Sequence, residues 1–113
     1  MSLMPAANSQ TTARRLSALA QLYRRGQASP MLDRTLDKAL NYEAEVSRAQ
    51  LAQLEIDLAE FEQRYQRSST DFYQQFQAGK TDDRLDYTEW AALIQMANTL
   101  RERLQLLTDD DQP

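Results

Sequence analysis

The sequence predicts an all-α protein: an antiparallel helical hairpin made of a long helix, a short tip helix and a returning helix, with an extra short helix at the N-terminus. Three observations predict it. Apolar residues recur at three- and four-residue steps through most of the chain. Capping residues stand ahead of each periodic run. Only 2 Gly and 3 Pro occur in 113 residues, too few for the turns of a sandwich or barrel. The length suits one small domain, expected over residues 11–108. Residues 1–10, small and polar without periodicity, are expected to be disordered, and 109–113 to form an acidic tail.

The first helix is expected over about 11–25. Thr11 or Thr12 can cap it and Gly26 can stop it. Leu16, Leu19, Ala20, Leu22 and Tyr23 make one apolar face, flanked by the pairs Arg14-Arg15 and Arg24-Arg25. About four turns of helix are marginal alone and need a surface to pack on.

The long helix is expected over about 30–66. Ser29 caps it, and Pro30 is preorganised for the first helical position. No further Gly or Pro follows until Gly79. Leu51, Leu54, Leu58, Phe61 and Tyr65 keep the 3, 4, 3, 4 rhythm of a coiled coil. Near residues 42–50 the phase slips, with Tyr42, Val46 and Ala49 bridging two registers. Such a helix is roughly 55 Å long.

The tip helix is expected over about 70–78. Ser68-Ser69-Thr70-Asp71 reads as a capping box, Phe72, Tyr73 and Phe76 follow, and Gly79 ends the helix. After a polar turn, Asp86 with Glu89 reads as a second capping box for a helix over about 86–107. Trp90, Leu93, Ala97, Leu100, Leu104 and Leu107 again alternate steps of 3 and 4. The returning helix is long enough to cover the long one only back to about residue 45. Leu32, Leu36, Leu40 and Tyr42 are therefore left uncovered as candidate partner or dimer contacts, and the chain is expected to homodimerise, with the first helix and a second copy together covering them.

Several chemistries are excluded or disfavoured. The chain has no His and no Cys, which removes imidazole acid–base catalysis, thiol nucleophiles, disulfides and the common zinc sites. Asp82, Asp83, Asp86 and Glu89 lack the ligand spacing and central Gly of a calcium loop, so turn and cap duty is expected of them rather than metal binding. Glu43, Glu55, Glu60 and Glu62 have no His partners for a di-iron site; surface roles are expected, with Glu60–Arg64 as an i,i+4 pair. Ser68 and Ser69 have no base beside them, and no phosphate-binding loop is present. No catalytic residue, cofactor or metal site is expected. Tyr73 and Tyr87, with Asp82 and Asp83, are the candidate contacts at the tip.

The net charge of −4 divides unevenly. Residues 1–30 carry +4, through Arg14, Arg15, Arg24 and Arg25, and residues 31–113 carry −8. Those four arginines could meet nucleic acid, although four charges are few for that task. No apolar run approaches the ~20 residues that span a bilayer, and Met1–Ala7 lacks the features of a secretory signal. A cytoplasmic location without membrane contact is expected.

The stretch Leu54, Leu58, Phe61-Glu62, Tyr65, Ser68-Ser69, Phe72-Tyr73, Phe76, Gly79, then Asp82-Asp83, Asp86, Glu89-Trp90, resembles a family of short helical proteins of cyanobacteria, other bacteria and archaea. Upstream, Leu32-Asp33-Arg34, Leu36-Asp37-Lys38, Leu40 and Tyr42-Glu43 are similar to its cyanobacterial branch. Members are often encoded beside a nuclease-like toxin and read as antitoxins. The resemblance implies a non-catalytic binder that neutralises a basic, nuclease-like protein partner. Arg67 departs from the pattern, where an apolar residue is usual, and so does Lys80-Thr81, where Glu and a small apolar residue are usual. The alternative expectation is a structural coiled-coil adaptor that homodimerises.

Overall fold

A computed structural model describes residues 6–108, with side chains from residue 9. Among them are four α-helices and no strand: α1 (Ala6–Arg24), α2 (Pro30–Tyr65), α3 (Ser69–Gln77) and α4 (Leu85–Thr108). The protein is all-α. The chain divides into two compact units, one ending at Lys38 and the other beginning at Ala39, where one domain over 11–108 was expected. The tail 109–113 and residues 1–5 lie outside the described residues.

In the first unit, α1 begins at Ala6, not at Thr11 or Thr12, so residues 6–10 are helical rather than disordered. Ala6 and Ala7 are strong helix formers, and their propensity extends the helix past the hydroxyl caps. Its end is as the sequence predicts. Gly26 adopts φ +68, and the Gln27 N–H donates to the Leu22 carbonyl at 2.9 Å. Ser29 then caps α2, its hydroxyl accepting from the Leu32 N–H at 3.1 Å. The Tyr23 hydroxyl donates to Asp33 at 3.2 Å, tying the end of α1 to the start of α2. Partial desolvation and that bond push the Tyr23 hydroxyl pKa up.

The second unit holds the core. Leu54, Leu58 and Phe61 of α2 pack with Phe72 of α3 and with Trp90, Ala91, Ile94 and Ala97 of α4. The α2 stripe keeps its rhythm upstream through Ser47 and Ala44, both buried. The phase therefore does not slip at residues 42–50. The bridging residues Tyr42 and Val46 are exposed, and two small residues hold the register. Arg103 reaches back from α4 to the Ser47 hydroxyl at 3.0 Å and to Glu43, while Arg64 meets Asp86 at 3.0 Å near the tip. These pairings make α2 and α4 antiparallel.

α2 ends at Tyr65, and the next residue, Gln66, is a non-glycine residue at φ 53. The Arg67 N–H closes that turn on the Glu62 carbonyl at 3.2 Å. α3 starts with Ser68 as its N-cap, accepting from the Asp71 N–H at 3.1 Å. Glu62, expected at the surface, accepts from the Ser69 N–H at 2.8 Å. α4 starts one residue earlier than expected. Asp82 holds the preceding turn by accepting from the Arg84 N–H at 3.1 Å, and the Asp86 carboxylate turns to Arg64 and Tyr65 instead of capping. Arg64 is thereby taken from the expected Glu60 pair.

Candidate interaction surfaces

The tip is an aromatic stack. Trp90 is fully buried, with Phe72 parallel to it at 4.0 Å and Phe61 on it at 5.6 Å. Its indole N–H donates to the Ser69 hydroxyl at 2.9 Å. Tyr87 is half-buried and meets Tyr65 edge-on at 5.2 Å. Tyr73 is also half-buried, and its hydroxyl accepts from Gln95 at 3.0 Å. Arg67 lies 5.8 Å over the Phe72 ring. Most of the expected tip contacts are thus engaged internally. Asp82 is clasped by Arg84 at 3.0 and 2.9 Å, and Asp83 alone of the four projects into solvent without such a clasp.

These ion pairs hold two carboxyls below the ordinary range. At Asp86 the Tyr65 hydroxyl is the main cause, with Arg64 adding to it against partial desolvation. At Asp82 the cause is the Arg84 guanidinium, then the Arg84 backbone N–H. A depressed native pKa stabilises the fold above the unfolded value, ~3.9 for Asp, and that contribution is lost as pH falls through the native value. Stability is expected to hold from neutrality to about pH 5 and to decline below about pH 4. Asp86→Asn should flatten part of that decline. Urea midpoints at about pH 7, 4 and 3 check this; an identical acid slope in the variant would reject it.

The expected contact residues Leu32, Leu36, Leu40 and Tyr42 do not form one surface. Leu32 and Leu36 belong to the first unit and are half-buried. In the second unit Leu40 continues the stripe of Ala44 and Ser47, beyond the reach of α4, and is 47% exposed. Tyr42 stands about 200° further round α2, and it is 63% exposed. Val46 and Ile56 lie within about 40° of Tyr42 on the same face, and both are exposed. Glu45 and Glu60, also exposed, share that side. The coiled-coil rhythm of the sequence makes Tyr42 and Val46 a bridge between two registers and passes over Ile56, so it does not reveal the second stripe.

Arg14, Arg15, Arg24 and Arg25 are all exposed. The first pair stands about 15 Å along the helix from the second, so they make two small basic spots rather than a continuous track. Among the described residues no group of acids is placed to hold a metal, and no helix is long and apolar enough to cross a membrane.

Set against models of known protein families, against curated proteins and against solved structures, the chain matches none of them.

Proposed function

We propose that this protein is a non-catalytic helical binding module that occupies a protein partner with one face of α2. The observation that carries the reading is the second stripe of that helix. Tyr42, Val46 and Ile56 expose large apolar surface on a face the intramolecular core does not use. Exposed apolar side chains gathered on one face mark interaction surfaces more often than isolated ones do. Glu45 and Glu60 flank them, so the face suits a basic partner.

Within that class, the antitoxin-like role rests on the family resemblance. The partner is then a basic, nuclease-like toxin, met in the cytoplasm. Co-expression with the product of the adjacent gene tests it. The protein should restore growth, and the double variant Tyr42→Ala, Ile56→Ala should lose that effect while keeping wild-type helicity. Unchanged toxicity in the presence of the protein, or no toxicity to relieve, rejects the role.

A second reading is supported by the same stripe, whose residues 4 and 14 positions after Tyr42 are compatible with a coiled-coil seam. In that reading the chain is a structural adaptor with no toxin partner. Nucleic-acid binding through the four arginines is the weakest alternative, and a mobility shift absent even at low salt removes it.

A further inference from the structure

We infer that a second copy of this chain docks on the groove between α2 and α4, forming a four-helix bundle about a two-fold axis. The groove belongs wholly to the second unit. Gln50, Gln53 and Leu54 of α2 form one wall; Ala92, Met96 and Leu100 of α4 dominate the other. Met96 is 53% exposed, and Leu100 is half-buried.

Charge selects the occupant. Every residue lining the groove is uncharged, in a chain of which 27% is charged. A second groove, on the side where α3 joins α2 and α4, includes the charged residues Glu55, Glu62 and Arg101 in its lining. A two-fold interface brings the same patch of both copies together. Near the axis like charges would meet, at a cost. Residues that can face their own copies are apolar side chains and groups carrying both donor and acceptor. Met, Leu and Ala are the first kind. A Gln amide is the second, with two donors and an acceptor oxygen. A basic partner would select carboxylates instead, and the groove offers none.

Size agrees. The groove, Ala92–Leu100 on α4, lies midway along that 24-residue helix, and the whole two-helix face that carries it is about 36 Å long and about 20 Å across. That is roughly 700 Å², close to the ~800 Å² per partner of a stable interface. The apolar centre lies along Leu54, Met96 and Leu100; Asp57, which accepts from the Gln53 amide at 3.1 Å, and Arg103, which pairs with Glu43, lie outside that lining as a charged rim. Gln53 lies about 20° from Tyr42 round α2, so the groove borders the Tyr42 stripe, but Met96 and Leu100 of α4 are no part of that stripe and the inference does not depend on the antitoxin-like role.

Sedimentation equilibrium on the full chain at tens of micromolar tests it. The expected species has twice the 13.0 kDa protomer mass. Met96→Glu should sediment as a monomer with unchanged helicity, while Tyr42→Glu stays dimeric. Since the chain has no native cysteine, a gentler probe is available. With a short bis-maleimide, Met96→Cys should cross-link into dimers and Asn98→Cys, in the second groove, should not. A wild-type monomer at that concentration overturns the inference. So does dissociation by Tyr42→Glu but not by Met96→Glu, or cross-linking through Asn98→Cys alone.

Discussion

Replacing Trp90 with alanine is expected to destabilise the second unit by about 3–5 kcal/mol. Trp90 is fully buried, and it holds three elements at once. Phe61 of α2 and Phe72 of α3 stack on the indole, whose N–H bonds Ser69 at the head of α3. Alanine removes the volume between two rings and leaves them without a common partner. Whole domains are stable by only about 5–15 kcal/mol, so the loss is a large share of what holds the fold. Trp90→Phe keeps a ring in the stack and gives up only the indole hydrogen bond and part of the volume; a smaller loss is expected. Urea unfolding followed by circular dichroism separates the two. A Trp90→Ala midpoint indistinguishable from wild type would show that the stack is not the centre of the core.

Enlarging Ala97 to leucine is expected to cost about 1–3 kcal/mol by overpacking. Ala97 is fully buried on α4. Level with Ala97 on α2 is Leu54, which with Leu58 and Ile94 fills the surrounding core. Small side chains allow two helices to approach closely, and three added carbons at Ala97 have no space to enter. Ala52 is exposed on α2, so Ala52→Leu is the control and should leave stability unchanged. In a unit of this size each kcal/mol moves the melting temperature by about 4–8 °C. A thermal melt of Ala97→Leu that coincides with the control would mean that the helices part at little cost.

The helix positions, most of the caps and the aromatic tip were legible in the sequence because they are local or periodic. Ser29-Pro30, Gly26 and Gly79 act within one turn of themselves. The stripe from Leu51 to Tyr65 was readable for the same reason. Its continuation through Ala44 and Ser47 was not, since small and polar residues carry no hydrophobic signal. The more conspicuous Tyr42 and Val46 drew the reading to the wrong face. Arg64 shows the second kind of limit. Its local partner Glu60 satisfies the helix pairing rule, but the approach of α4 brings in Asp86, 22 residues away. The groove was hidden for a third reason. Gln50 and Gln53 are ordinary surface residues until α4 places Met96 and Leu100 beside them.

The aromatic stack also has an optical consequence. Trp90 is the chain's single tryptophan, and it sits in the second unit, sealed between other rings. Selective indole excitation therefore reports on that unit and is blind to residues 1–38, whose one described phenol is Tyr23. Far-ultraviolet dichroism weighs the helices of both units alike. The difference between the two signals along one denaturation curve measures, with no label added, how far the two units melt as one.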